Sequence, residues 1–289
     1  MSEHARIFDQ HRTALIGAAY RVLGTMTDAE DAVQETWPRW SAVELASVEN
    51  PRAYLLSAVT RQALNVARQH ERRREAYVGP WLPEPVSDPH SIGADAAAEL
   101  AESVSLAMLV VLETLSPAER ATFVLHEVFG MPLSEVAETL ERSPAAVRQL
   151  AHRAREHVQA RAPRHPVDRS THREVTERFL TAATGGSLPE LLSLLSPDVV
   201  LYSDGGGLRR AALRPISTPE KVLRFAIGVM TNPDTPVTME LGELNGYAAL
   251  IARSAAGVDT VVSFVVDGGI VTEVYVLRNP EKLGFVAAE

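Results

Sequence analysis

The chain has 289 residues, of which 46% are hydrophobic and 22% charged, so it is long enough for two or three globular domains. The absence of cysteine excludes disulfides and cysteine metal sites and fits a cytoplasmic protein. No stretch is apolar enough to span a membrane, and the polar N-terminus is not a secretory signal, so we expect no membrane partner. The net charge of −9 argues against a nucleic-acid binder as a whole, but the acidic excess lies in residues 76–103 and 166–289.

Residues 1–75 are predicted to form helices. Within TDAEDAVQETW, Thr27 and Glu30 have the spacing of a capping box, which predicts that a helix starts there. Pro38 is expected to kink or end that helix. A later helix is expected to start at Asn50 and Pro51, an N-cap followed by proline at the first helical position.

Residues 76–103 have the composition of an acidic, proline-rich linker, but they contain a tryptophan in the stretch GPWLPEPVSDP. Linkers that only tether two domains are polar and need no large apolar side chain. Trp81 is therefore expected either to pack on a neighbouring domain or to be exposed without a role.

Residues 104–162 are predicted to be a second helical block. Ser116, Pro117 and Glu119 form a capping box with proline at the first helical position. Farther on, two short helices joined by a tight turn predict a helix-turn-helix, which could also be a plain helical hairpin with a solvated basic face. DNA is favoured because arginine can bridge guanine O6 and N7 and glutamine can bind adenine. The polar face of the second helix carries Arg148, Gln149, His152, Arg153 and Arg155.

Two other helix faces have alternative explanations. Asp31 and Glu35 lie four residues apart on one face, which suits docking on a basic protein surface but also fits a solvated acidic face. Arg61, Asn65 and Arg68 also share a face; they could bind a base edge and phosphates, or form an ordinary polar surface.

Taken together, TDAEDAVQETW, PRAYLLSAVTRQALN and LSPAERATFVLHEVFGMPLSEVAETLERSPAAVRQLAHRARE resemble bacterial sigma factors of the extracytoplasmic-function (ECF) type. The first two segments resemble sigma region 2 and the third resembles region 4. The resemblance implies an alternative sigma factor that binds the β′ clamp and β flap of core RNA polymerase, recognises the −35 and −10 promoter elements and initiates transcription. It assigns to the polymerase clamp Asp28, Asp31, Gln34, Glu35 and Trp37. It assigns to the −10 element Arg61, Asn65 and Arg68, and to the −35 element Arg148, Gln149, His152, Arg153 and Arg155.

The C-terminal residues 170–289 change from helices to strand-forming segments, with a hairpin turn at DGG (267–269), which predicts an α+β domain. This part resembles the SnoaL-like domains of the NTF2 superfamily, cones of curved sheet and helices that often enclose a pocket. The whole chain is thus predicted to be multidomain: a region 2 bundle (1–75), the linker (76–103), a region 4 helix-turn-helix (104–162) and the SnoaL-like domain (170–289).

Sigma factors with this C-terminal extension share the motifs WLPEP, DGGG (204–207) and NPEKL (279–283), all of which occur here. The resemblance implies that Trp81 docks on the C-terminal domain or region 2, and that the fused domain tunes transcription. The residues assigned to this interdomain, regulatory contact are Trp81, Leu82, Pro83, Asp204, Gly205, Gly206, Gly207, Asn279 and Pro280.

The alternative is that the C-terminal domain is a ligand sensor or a small-molecule enzyme, of the isomerase or cyclase kind, fused to a DNA-binding module. Asp204 would be its base, and Tyr202 and Tyr275 could point into its pocket. The three glycines after Asp204 instead predict a turn with positive φ in a flexible, wet loop, where a carboxyl group would not have a raised pKa. We therefore expect the protein not to be an enzyme and to have no cofactor. We also expect no metal site, since the nine histidines lack the spacing of metal ligands. Whether the pocket binds a small-molecule ligand stays open.

Overall fold

The structure, a computed structural model, describes residues 2–74, 76–87, 105–230 and 236–286. It separates into two compact units, one made of residues 1–75 and 88–161 and the other of residues 76–87 and 162–289. The first part of the predicted linker, residues 76–87, therefore belongs to the same unit as the C-terminal domain. The rest of the predicted linker, residues 88–103, lies outside the described residues.

The N-terminal half of the first unit is a bundle of three helices. They are α1 (Glu3–Leu23), α2 (Met26–Ser41) and α3 (Pro51–Arg74), with a 3₁₀ turn at Leu45–Ser47 before α3. As predicted, Asn50 caps α3, since its side-chain oxygen accepts a hydrogen bond from the Ala53 backbone N–H at 3.1 Å. Tyr20, Leu55 and other apolar side chains fill the bundle core.

The predicted start of α2 is wrong. The helix begins at Met26, with Thr25 as its N-cap, so Thr27 and Glu30 form no capping box; Thr25 donates instead to the Asp28 carboxylate. This start allows Met26 to be buried. Pro38 does not end the helix, which continues to Ser41. The carbonyl that loses its hydrogen bond is four residues earlier, at the exposed Gln34, where water can replace the missing donor.

The C-terminal half of the first unit contains the predicted helix-turn-helix. Its helices are α4 (Leu106–Glu113), α5 (Pro117–Phe123), α6 (Leu133–Leu140) and α7 (Pro144–Arg161), with a π-helical segment at Val124–Val128 after α5. The capping box of Ser116 and Glu119 is confirmed. Val136 on α6 and Val147 on α7 are fully buried, so these two helices pack through the predicted apolar faces.

The second unit is an α+β domain, as predicted. Its helices are α8 (Arg169–Gly185), α9 (Leu188–Leu194) and α10 (Pro219–Met230). Its strands are β1 (Leu195–Asp204), β2 (Ile216–Ser217), β3 (Thr238–Leu244), β4 (Tyr247–Ser254), β5 (Gly257–Asp267) and β6 (Ile270–Leu277). Among the described residues these strands form one mixed sheet in the order β2-β1-β6-β5-β4-β3.

The sheet combines a local meander with one long-range pairing. Strands β3 to β6 pair antiparallel in chain order, and the predicted turn between β5 and β6 has positive φ at Gly268 and Gly269. Strand β1 pairs parallel with β6, which places Asp204 opposite Leu277 at the ends of the two strands. The sequence that follows each strand, DGGG after β1 and NPEKL after β6, is therefore at one end of the sheet.

Candidate functional sites

The acidic face of α2 is exposed at three of its five predicted positions. Asp31, Gln34 and Glu35 are exposed, and Glu35 accepts a hydrogen bond from Gln62 of α3. Asp28 is partly buried, since it accepts from Thr25 and its Oδ2 lies 3.7 Å from His70 Nδ1. These contacts leave Asp31 and Glu35 as the carboxylates best placed to reach a partner.

The aromatic residues that end α2 hold it to α1. Trp37 is partly buried, with its ring edge-on to Phe8 at 5.2 Å between centroids. Trp40 is completely buried and donates from its indole Nε1 to the His4 carbonyl at 2.9 Å. Trp37 is thus partly open to a partner, whereas Trp40 belongs to the bundle core.

The polar face of α3 is exposed, and one of its residues contacts α6. Arg61, Asn65 and Arg68 are all exposed, and Arg68 Nη1 lies 3.5 Å from Asn65 Oδ1. Arg61 Nε donates to the Thr139 carbonyl at the end of α6, at 3.1 Å. The Thr139 hydroxyl also lies 2.8 Å from the Ser57 hydroxyl. Within the first unit, therefore, one residue of the predicted −10 face is bound to the helix-turn-helix.

All five predicted residues on α7 are exposed, and three of them have acidic neighbours. Arg153 Nε lies 2.7 Å from Glu119, Arg155 Nη2 lies 2.5 Å from Glu127, and His152 lies 3.4 Å from Glu156. Exposed ion pairs contribute only ~0–1 kcal/mol each, so phosphate groups can displace these carboxylates. Arg148 and Gln149 extend from the same face near the start of α7.

The second unit holds a buried carboxylate that residues 76–87, here called the linker segment, help to bind. Asp204 has no exposed surface, and it accepts hydrogen bonds from the Tyr77 hydroxyl (2.6 Å), the Leu82 N–H (2.9 Å), Lys282 Nζ (2.7 Å) and the Gly206 N–H (3.0 Å). We call this group of residues the Asp204 site. Its burial corrects the prediction of a flexible, wet loop; only the positive φ of Gly206 and Gly207 agrees with the predicted turn.

Lys282 joins the linker segment to the Asp204 site. Its ammonium group is buried, donates to the Leu82 carbonyl at 2.7 Å, and lies 3.9 Å from the centre of the Trp81 ring and 4.9 Å from that of Tyr77. Two aromatic faces and two oxygen acceptors thus surround one cation, which compensates for its lost hydration. Burial, and then the hydrogen bond to Asp204, raise the pKa of Tyr77, so its hydroxyl stays a donor at all physiological pH values.

The linker segment has a second attachment farther along. The Val86 N–H donates to Asn245 Oδ1 at 3.1 Å, and the Asn245 N–H donates to the Val86 carbonyl at 2.8 Å. Leu82 through Val86 are buried, whereas Trp81 is only partly buried, less than its size suggested. Because Pro83 and Pro85 have no N–H group, burying this stretch leaves few donors to satisfy.

Glycines and Asn279 shape the loops at the same sheet end. A Cβ at Gly205 would lie 2.2 Å from the Arg209 carbonyl oxygen, and one at Gly206 would lie 2.4 Å from Asn279 Nδ2, so neither position accepts a side chain. Asn279 Nδ2 donates to the Tyr77 hydroxyl at 3.0 Å, and Pro280 opens the short 3₁₀ helix that carries Lys282. These loops therefore bring all three motifs into one site.

Sequence reasoning missed Tyr77, Asn245 and Lys282. Lys282 is within the NPEKL motif, and it is one of only two lysines in a chain whose other basic residues are arginine, a signal that was available. Tyr77 and Asn245 carry no comparable signal. Asp204, the base in the alternative enzyme hypothesis, does not line the apolar pocket found beside the sheet of this unit, and neither do Tyr202 and Tyr275. The carboxylate that lines this pocket belongs to Asp259.

Neither a metal centre nor a membrane span is seen in the described part of the chain. No three His, Asp or Glu side chains there come close enough to ligate one metal ion. None of the helices in those ranges combines the length and the hydropathy that a bilayer crossing needs.

Family comparisons cover the whole length of the chain. Residues 7–73 match the family model for sigma-70 region 2, and residues 105–158 match that for sigma-70 region 4. The ECF RNA polymerase sigma factor SigJ of Mycobacterium tuberculosis is 38% identical over 291 residues, covering 95% of this chain and 91% of the relative. The chain belongs to the ECF sigma factor family.

Two further comparisons extend this result to the C-terminal domain. A probable ECF RNA polymerase sigma factor of M. tuberculosis, SigI, is 30% identical over 294 residues, covering 100% of this chain and 99% of the relative. The crystal structure of M. tuberculosis SigJ superposes with a TM-score of 0.78 at 34% identity, over 98% of this chain and 99% of that chain. The predictions of an alternative ECF sigma factor and of helical sigma domains followed by an α+β domain are thus confirmed.

Proposed function

We propose that this ECF sigma factor binds core RNA polymerase through the α2 face, recognises promoters through α3 and α7, and is regulated by its fused C-terminal domain. The observation that carries the proposal is the exposed basic face of α7, in a helix-turn-helix that belongs to the same compact unit as an exposed acidic helix. Both partners, core polymerase and chromosomal DNA, belong to the cytoplasm, so we propose that the protein acts there.

The polymerase contact is assigned to Asp31 and Glu35, with Gln34 and Trp37 beside them. Their exposure supports this role, because a pair of carboxylates four residues apart on a helix is costly unless a basic surface faces it. The β′ clamp is the proposed partner of α2, and the β flap that of the region 4 helices. Asp28 has a supporting role, since its carboxylate is already bound by Thr25 at the start of the helix.

Promoter recognition is assigned to two faces. Arg148 and Gln149 are proposed to bind base edges of the −35 element, with His152, Arg153 and Arg155 on phosphates, because Arg153 and Arg155 can exchange their carboxylate partners for phosphate oxygens. Arg61, Asn65 and Arg68 are proposed to bind the −10 element. Because Arg61 donates to Thr139, we propose that α3 and α6 must separate before the −10 element binds.

Regulation is assigned to the Asp204 site. Residues 76–87 follow region 2 directly in the chain, and they are held by hydrogen bonds to the buried Asp204–Lys282 pair and to Asn245. We propose that the C-terminal domain controls the sigma factor by holding or releasing this segment. The residues that form or support that contact are Trp81, Leu82, Pro83, Gly205, Gly206, Gly207, Asn279 and Pro280.

Run-off transcription with purified core polymerase tests the proposal. The full chain is compared with truncations after residue 165 and near residue 280, and each protein is also tested for core binding. We expect promoter-dependent transcripts from the full chain, and retained core binding with altered transcription from both truncations. If the full chain neither binds core polymerase nor supports initiation, the sigma assignment is overturned. If both truncations transcribe as the full chain does, the regulatory role alone is overturned.

A further inference from the structure

The second unit contains an apolar pocket between its helices and its sheet. Phe179 of α8 and Phe225 of α10 line it from one side, and Leu250 and Val274 of the sheet from the other. The volume of the pocket is about 40 Å³. A cavity of ~10–15 Å³ already holds one water molecule, so this pocket can take a molecule of a few non-hydrogen atoms. Of the described residues that line it, only Asp259 and Thr260 are polar.

An irregularity in β5 places both polar residues in the same pocket. Ala252 pairs with Thr260 while Arg253 pairs with Val258, so Asp259 is an extra residue with no partner position on β4. In a regular strand two successive side chains point to opposite faces of the sheet, whereas a β-bulge turns one of them. The bulge therefore explains why Asp259 and Thr260 both line the pocket.

Asp259 is a buried carboxylate with spare accepting capacity. It is 6% exposed, and its Oδ2 accepts hydrogen bonds from the Thr260 hydroxyl at 2.7 Å and from Arg278 Nη2 at 3.1 Å. Its Oδ1 has no hydrogen-bond partner among the described residues. Burial by itself raises the pKa of Asp259, but the hydrogen bonds from Thr260 and Arg278 outweigh it and keep the carboxyl group ionised.

We infer that this pocket binds a small, neutral, mostly apolar molecule whose hydroxyl group donates a hydrogen bond to Asp259. The apolar lining excludes a strongly polar ligand, and an unpaired buried carboxylate oxygen requires a donor. A cationic donor is disfavoured because the Arg278 guanidinium already neutralises the carboxylate, so a second cation would be buried without compensation.

Arg278 connects the pocket to the Asp204 site. Its side chain binds Asp259, the Thr260 hydroxyl at 3.1 Å and the Arg210 carbonyl at 2.8 Å, and its backbone N–H donates to the Asp204 carbonyl at 2.7 Å. A ligand that donates to Asp259 Oδ1 thus binds the same carboxylate as Arg278, a residue that also holds the DGGG loop. Binding itself is independent of the proposed sigma function and is tested without polymerase.

The test uses three probes with the same number of non-hydrogen atoms: 1-butanol, diethyl ether and butylammonium chloride. Each is titrated into the full chain up to high millimolar concentration, and binding is followed by the methyl resonances of Val222 and Val274, which line the pocket. We expect 1-butanol to bind on the order of tenfold more tightly than the ether, because only the alcohol donates to a charged acceptor. Butylammonium should bind more weakly than 1-butanol.

Variants make the assignment specific to Asp259. Asp259→Ala should abolish the preference for the alcohol over the ether, whereas the exposed matched control Asp198→Ala should retain it. Ala226→Leu, which fills the pocket from α10, should abolish the methyl shifts for all probes. If circular dichroism shows that Asp259→Ala does not fold, the wild-type preference and Ala226→Leu still decide the question.

Four results would overturn the inference. Equal affinity for alcohol and ether would exclude the hydrogen bond to Asp259, and tightest binding of butylammonium would exclude a neutral ligand. Shifts that are absent at every concentration, or that persist unchanged in Ala226→Leu, would exclude the pocket as a binding site.

Discussion

Lys282→Met should release residues 76–87 from the C-terminal domain. The variant keeps a long apolar side chain but removes the cation from a buried pair, and breaking such a pair on one side costs ~3–5 kcal/mol. Asp204 keeps three of its four hydrogen-bond donors, from Tyr77, Leu82 and Gly206, so we expect the lower end, about 3 kcal/mol. Every ~1.4 kcal/mol is a factor of ten, so the open population of the segment should rise by about a hundredfold.

Amide hydrogen exchange measures this release directly. The N–H groups of Leu82 and Val86 donate to Asp204 and Asn245, so a peptide covering residues 77–87 reports on both attachments. Its exchange should accelerate by about a hundredfold in Lys282→Met, up to the limit set by complete release. The other lysine, Lys221, is exposed on α10, so Lys221→Met is the matched control and should exchange as the wild type does.

Two exchange results would contradict this role of Lys282. If the 77–87 peptide in a folded Lys282→Met protein exchanges at the wild-type rate, Lys282 does not hold the segment. If the strands β4 and β5 lose protection together with the segment, the ion pair supports the whole domain and not the linker contact.

The remaining predictions concern the proposed partners. Arg148→Ala should weaken −35 recognition by ~1–3 kcal/mol in promoter-binding assays while core affinity stays unchanged, and Arg173→Ala, an exposed arginine on α8, should have no effect. Asp31→Arg with Glu35→Arg should abolish binding to core polymerase in a pull-down without lowering the melting temperature, and tight binding by the folded variant would remove the clamp assignment. Trp81→Ala, which removes the cation–π contact with Lys282, should raise protease sensitivity in residues 76–87 less than Lys282→Met does, since Trp81 is only partly buried.

Local signals predicted much of the helical half correctly. The caps at Asn50 and Ser116 and the apolar spacing on α6 and α7 were readable because each depends on residues within one or two helical turns. The start of α2 was misplaced because two threonines, Thr25 and Thr27, could both cap it, and only the burial of Met26 distinguishes them. Such a choice depends on packing, which the local pattern does not contain.

The Asp204 site could not be predicted in the same way. Tyr77 is 127 residues from Asp204, and Lys282 is 78 residues from it, so the donors come from distant parts of the chain. The glycines after Asp204 suggested a wet loop, but two of them are needed because Arg209 and Asn279 approach their backbone closely. The parallel pairing of β1 with β6, which creates this sheet end, is also a long-range contact that strand patterns alone do not specify.

A buried ion pair suits a linker contact that must be both held and released. Two of the four donors to Asp204, the Tyr77 hydroxyl and the Leu82 N–H, come from the linker segment itself. When the segment leaves, the carboxylate loses half of its donors and must be hydrated, so docking of the segment and burial of Asp204 form one equilibrium. Asp204 and Lys282 stay paired in the domain when the segment leaves, but a carboxylate that stays buried with only part of its donors is costly. Intermediate states are therefore disfavoured, and the segment is either fully docked or fully released, with a small free-energy difference that a partner or a ligand can shift.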